Sequence, residues 1–351
     1  MKKILAIALC LCMVLCAVAC GGTKEAEYKL GMGIVVSMDD SATGNAQVDA
    51  TVASVVTDAE GKIVACRIDV AQNKMNVADG AVDAAATFQT KMEKGDAYGM
   101  AAAVNYGMDW NNDGVVKEWY DQAKAFEAYV TGKTVAEVEA IATQTLESGY
   151  VIATDDALLT AGCTIQITDF IEAVAKACKD EQGMSFKTAA TFTLGVAAKT
   201  TAAESTAATA EAEGVVKMYT DFAAAVIADG KIIATLNDAI QPQIKINAAG
   251  EIVEKSFTET KRNLKEGYNM ATYGASMDNN GDGQVLEWYI QSQAFSNYVV
   301  GKTGAEVAAM QTKTLENGYQ ISADDALLTA GCTIQITGIC AVVAQAANNA
   351  R

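Results

Sequence analysis

The chain has 351 residues, with 26 Lys and Arg against 43 Asp and Glu, and a formal net charge of −17. That excess of negative charge argues against nucleic acid or an anionic lipid surface as partner, since either would repel it. Histidine is absent altogether, which excludes imidazole triads, His-ligated zinc and covalently attached c-type haem. A single Pro and 51% hydrophobic residues describe a folded chain and not a disordered stalk.

The first residues, MKK, form a short basic start to the apolar run ILAIALCLCMVLCAVA. This run is too short and wrongly flanked for a stable membrane span. It closes on LCAVAC, and the whole segment resembles a bacterial lipoprotein signal. The resemblance implies residues 1–19 as signal peptide, lipidation of Cys20, and 20–28 as the lipidated tether of an extracytoplasmic protein anchored to the cell membrane. Ala17 stands where such signals usually carry Leu. An ordinary secretory signal cleaved after Ala19 is the alternative, and it also exports the protein.

Behind the signal the chain is written twice. GKIVACRIDVAQ (Gly61 to Gln72) returns as GKIIATLNDAIQ (Gly230 to Gln241), and DDALLTAGCTIQIT at Asp155 to Thr168 returns letter for letter at Asp324 to Thr337. Both pairs are displaced by 169 residues, the signature of an internal repeat. The first copy is assigned to 29–182 and the second to 183–351. Within the second, the Ala/Thr-rich stretch from Ser185 to Gly214 reads as linker or as a decorated first strand.

In chain order, ATVASVVTDAEGKIVACRIDVAQ alternates around an Asp-x-x-Gly turn and predicts a β-hairpin. Next, each copy carries Asp-x-Asn-x-Asp-Gly: Asp109, Asn111 and Asp113, then Asp278, Asn280 and Asp282. Alternating oxygens before a Gly form the front half of an EF-hand-like Ca2+ loop. The back half departs, because Tyr120 and Tyr289 occupy the place of the bidentate Glu while Glu118 and Glu287 fall early. An Asn/Asp/Gly turn is the competing reading.

EWYDQAKAFEAYVTGKT predicts a helix with Trp119, Ala123, Phe126 and Val130 on one face and Gly132 as its stop. Thr134 with Glu137, and Thr303 with Glu306, read as capping boxes opening a further helix. Trp119, Tyr120 and Tyr150, with Trp288, Tyr289 and Tyr319, are core candidates that could instead stack a planar ligand. The repeated stretch then reads as a buried strand, CTIQIT, entering a helix capped by Thr168. The expected class is α+β: two tandem repeats, each an antiparallel sheet covered by helices. Of the cysteines behind Cys20, only Cys163 and Cys332 recur in both copies. A disulfide framework would recur whole, so mostly free thiols are expected.

The Gly-Lys-Ile strand, the small-residue turn ending in Thr and the helix FIEAVAKA together resemble the FMN-binding domain of exported bacterial flavoproteins. In that family the last Thr of the turn bears FMN through a phosphoester. The resemblance implies Thr164 and Thr333 as attachment residues, with Gly162, Cys163, Gly331 and Cys332 beside them. It also implies a flavin transferase and a membrane oxidoreductase as partners. This chain departs from the family where Cys replaces Ala and where Asp156 and Asp325 lie farther from the Thr. Apart from the family, a Gly allows close backbone approach and a following helix offers free N–H groups to a phosphate. The functional expectation is a tethered flavin-binding electron carrier rather than a turnover enzyme. The alternative is a calcium-braced surface lipoprotein that binds an envelope component or a protein.

Overall fold

Alternating apolar residues build a first antiparallel sheet from β1 (Ala26–Ser37), β2 (Asn45–Asp58) and β3 (Ile63–Asn76). In the computed structural model the residues described are 25–101, 116–270, 272, 278, 281, 283–316 and 318–351. The predicted hairpin is present between β2 and β3. Asp58 accepts hydrogen bonds from the Glu60 and Lys62 N–H groups at 3.1 and 2.8 Å, and Gly61 takes φ +76°.

The helices of the first half follow in order: α1 (Lys91–Lys94), α2 (Trp119–Val130), α3 (Val135–Glu139), a small hairpin of β4 (Thr143–Thr145) and β5 (Val151–Ala153), then α4 (Asp156–Thr160) and α5 (Thr168–Cys178). Trp119, Ala123, Phe126 and Val130 are buried together, as their spacing predicts. Both capping boxes form, at Thr134 with Glu137 and at Thr303 with Glu306.

The stretch from Ser185 to Gly214 is not a linker. It contributes part of β6 (Met184–Thr188), then β7 (Thr193–Thr201), and leads into β8 (Gly214–Lys217). β6 pairs antiparallel with β1, Leu30 opposite Met184, so the first sheet runs β3-β2-β1-β6. The point chosen from sequence to divide the copies, after Gln182, thus lies between α5 and a strand of the first sheet.

β9 (Tyr219–Ala228) and β10 (Lys231–Ile240) complete a second sheet of order β10-β9-β7, while β11 (Gln243–Ile246) and β12 (Ile252–Ser256) join β8 in a third. Helices and a hairpin then return in the earlier order: α6 (Lys261–Leu264), α7 (Trp288–Val299), α8 (Gly304–Ala308), β13 (Thr312–Thr314), β14 (Gln320–Ser322), α9 (Asp325–Thr329) and α10 (Thr337–Asn348). The class is α+β, with antiparallel sheets and helices.

The two larger sheets share a core. Leu30, Ile34 and Val52 from the first meet Leu194, Phe222 and Leu236 from the second. The opposite face of the first sheet, with Ala53, Val55 and Ile68, lies under α2 and α5, and Ala223 and Ala225 of the second lie under α7 and α10. Apolar residues on both faces explain the near-continuous burial of β2. Close helix approach requires glycine: a Cβ at Gly31 would stand 1.9 Å from the Ala177 carbonyl oxygen, and one at Gly195 1.9 Å from that of Ala346.

A buried ion pair joins the halves. Asp180, after α5, receives the Arg262 guanidinium of α6 at 3.1 and 3.3 Å, with side chains only 9% and 6% exposed.

Candidate functional site

The repeated stretch is a short helix and its stop, not a strand. Asp155 caps α4 by accepting from the Ala157 and Leu158 N–H groups at 2.9 and 3.2 Å, and Asp324 caps α9 through Ala326 at 2.9 Å. Gly162 and Gly331 then take φ +88° and +94°, a left-handed conformation that suits glycine. The N–H of Cys163 reaches the Leu158 carbonyl at 3.1 Å and that of Gly162 reaches Leu159 at 2.8 Å. These two bonds form a Schellman stop, and Cys332 and Gly331 repeat it at 3.2 and 3.0 Å. No strand forms over residues 163–167, and α5 has no side-chain cap, Thr168 being its first residue and Ile167 its N-cap.

Thr164 and Thr333 lie 4% and 6% exposed. Each backbone N–H donates to a glutamine side-chain oxygen, Gln122 or Gln291, at 2.8 Å. The hydroxyls donate to the same oxygens at 3.2 and 3.1 Å. The glutamine amides donate in turn to the carbonyls of Lys117 and Leu286, at 2.9 and 2.7 Å. The threonine therefore ties the stretch to α2 or α7, and the N-terminus of the following helix lies farther along the chain. A phosphoester would break this bond and expose an enclosed hydroxyl, so covalent flavin does not fit the turn in this conformation. Cys163 and Cys332 are fully buried, and burial pushes both thiols up to about 12. Cys66, Cys178 and Cys340 are free thiols as well.

Asp109, Asn111, Asp113, Asn280, Asp282 and Cys20 lie outside the described residues. Asp278 accepts from the Gly283 N–H at 2.9 Å, a local turn contact. Glu118 accepts from the Met100 and Ala101 N–H groups at 2.9 and 3.0 Å, and Glu287 from Met270 at 3.0 Å. Those carboxylates hold the backbone at Met100, Ala101 and Met270 against the helices α2 and α7. Among the described residues no group of three or more metal-ligating side chains occurs.

A second constellation escaped the sequence reading. Lys261, the first residue of α6, is 6% exposed. Its ammonium stands 4.9 Å from the ring centres of Tyr219 and Tyr268 and 5.3 Å from that of Trp288, a cation–π arrangement. It donates to the Tyr219 hydroxyl at 3.1 Å. These groups line a cleft of 420 Å³ that is also bordered by Tyr319, Ile334 and Gln335. An adjoining cavity of 360 Å³ shares Glu204, Lys217, Tyr219 and Gln335 and reaches Thr337. The second copy of the repeated stretch is thus a wall of this cleft, through residues beyond its threonine. Trp288 and Tyr319 are the predicted aromatics that reach it, whereas Tyr289 bonds to Glu266 at 2.9 Å.

The first half repeats the arrangement in part. Lys91 stands 5.3 Å from the Tyr98 ring and 5.6 Å from that of Trp119. Aligning the hairpins on their pairs Val56–Ala65 and Val226–Ala234 places Asp49 where the second half has Tyr219. Beside each lysine a strand carboxylate accepts from a helix N–H: Asp69 from Met92 at 3.1 Å and Asp238 from Arg262 at 3.0 Å. Burial pushes Asp69 up to about 7 and Asp238 to about 6. Burial also holds Lys261 below its ordinary value, with Asp221 the main opposing charge, and raises Asp221 itself. The sequence signal was available in TKMEKGDAYGM and TKRNLKEGYNM. These segments are displaced by 170 residues and not 169, so a comparison at fixed offset passes over them.

No family model matches the chain, and no solved structure matches it. Over 103 residues it is 37% identical to a protein named chlorophenol reductase from Desulfitobacterium hafniense, a match covering 25% of this chain and 28% of that protein. The match therefore spans less than a third of the relative's length.

Proposed function

We propose that the protein is an extracytoplasmic redox carrier, anchored at Cys20, that holds a flavin noncovalently in the second-half cleft. The observation that carries this reading is an aromatic-lined cleft bordered by one copy of the repeated stretch. Its 420 Å³ volume and mixed lining are those of a site for a small planar ligand. The likeness to a reductase supports the redox class.

A bound flavin would supply the electron transfer, and the chain's own residues bind and orient it. Tyr219, Tyr268 and Trp288 provide ring surface, Lys261 a charge, and Gln335 a hydrogen-bonding amide. Electrons would come from a membrane oxidoreductase reached through the lipid tether. Titration of the purified protein with FMN should quench tryptophan fluorescence, and Trp288→Leu should weaken the binding. If FMN passes through a desalting column without associating, and no quenching is seen, the flavin reading fails.

A further inference from the structure

We propose that the second-half cleft selects a planar aromatic ligand bearing negative charge, and that the Lys261 ammonium recognises that charge. The inference rests on the reading of the cleft as a ligand site and adds the ligand's charge. An ammonium has three N–H donors. One is taken by the Tyr219 hydroxyl at 3.1 Å, and among the described residues Lys261 forms no ion pair. A cation this enclosed, at 6% exposure, is uncommon without a paired carboxylate. The three rings around it offset part of its lost hydration. They also shape the opening for a flat ligand.

The charged groups facing Lys261 from neighbouring elements are Asp221, Asp238 and Glu204. Among the described residues none forms a direct ion pair with it: Asp221, the foremost of them, bonds to the same Tyr219 hydroxyl that accepts from Lys261, Asp238 accepts from the Arg262 and Ala239 N–H groups, and Glu204 pairs with Lys217 at 3.3 Å. The first half differs at one decisive place. Asp49 there occupies the position of Tyr219 and is the foremost carboxylate acting on Lys91. The foremost carboxylate for Lys261 is instead Asp221, where the same alignment gives the first half Thr51. The second half adds a phenol that takes one lysine donor and, among the described residues, leaves the ammonium without a direct ion pair at the cleft.

Two probes of one shape separate charge from ring: 2-naphthoate and neutral 2-naphthylmethanol, each titrated against tryptophan fluorescence. Wild type should prefer the naphthoate by about tenfold or more, the scale of one charge-assisted hydrogen bond. Lys261→Met should lose the preference, and Lys261→Arg should keep most of it. In the wild type alone the preference should decline as alkaline pH removes the lysine proton, a measurement that needs no variant to fold. Equal binding of both probes by wild type, or a preference that survives in folded Lys261→Met, would overturn the inference. Binding of FMN with neither naphthyl probe would overturn it and leave the flavin reading standing. Binding of naphthoate but not FMN would support it and count against flavin.

Discussion

Removing the Asp180 carboxylate should destabilise both halves of the molecule together. Asp180 accepts from Arg262 at 3.1 and 3.3 Å, from the Met32 N–H at 3.1 Å and from the Gln182 N–H at 2.9 Å. Arg262 also donates to the Gln182 carbonyl at 3.0 Å. With both side chains nearly enclosed, Asp180→Ala leaves a buried guanidinium without countercharge, at a cost of about 3–5 kcal/mol. Arg262→Met installs the residue type that the first half carries at Met92 and leaves Asp180 its two backbone donors. It should cost less, about 1–3 kcal/mol. The double variant should cost less than the two together, since residues in contact couple by about 0.5–3 kcal/mol. Urea unfolding at neutral pH, followed by circular dichroism and tryptophan fluorescence, measures all four proteins. Because the two sheets share one core, the two signals should change in one transition. Additive losses would refute the coupling, and separate transitions would refute the shared core.

Other outcomes follow from individual groups. The Asp69 carboxyl titrates near 7 in the folded chain against an ordinary 3.8, so the folded state binds more protons between those values. Stability should then fall as pH rises from about 4 to about 7, by at most about 4 kcal/mol from this group. Asp69→Asn should flatten that slope in unfolding measured across the range, and an unchanged slope would remove the group from the account. Gln122→Leu deprives the buried Thr164 N–H of its acceptor and should lower stability by about 1–3 kcal/mol, as should Gln291→Leu. Thermal melts without a shift would show that the threonine is held otherwise. For the anchor, Cys20→Ala should move the protein from the membrane fraction to the medium or leave a precursor, whereas unchanged membrane retention would count against lipidation. The EF-hand-like reading of the Asp-x-Asn-x-Asp-Gly segments requires calcium to raise the melting temperature of wild type but not of Asp113→Ala with Asp282→Ala, since only a ligand of the native state stabilises it; identical melting with calcium or chelator would leave the turn reading.

Much of the local structure was legible because local chemistry decides it. The Asp58–Gly61 turn, the Thr134 and Thr303 capping boxes and the buried face of α2 each depend on residues a few places apart. The repeated stretch carried an equally local signal, an Asp cap and a Gly stop around Ala-Leu-Leu-Thr. The letters CTIQIT that follow are apolar enough to predict a strand, but a short apolar run is buried equally well as irregular chain, which is how residues 163–167 lie. Its identity across two copies singles out the threonine, whose hydroxyl the fold turns toward Gln122 and Gln291. Tertiary structure alone decided the rest. β2 shows apolar residues on both faces, but nothing in its letters says that one face meets a second sheet and the other a helix layer. The cleft likewise draws Tyr219 from β9, Lys261 from α6, Trp288 from α7 and Gln335 from the segment before α10. Each of these residues has an ordinary local reading of its own. Their convergence exists only because burying both faces of the second sheet brings four distant segments to one end of it.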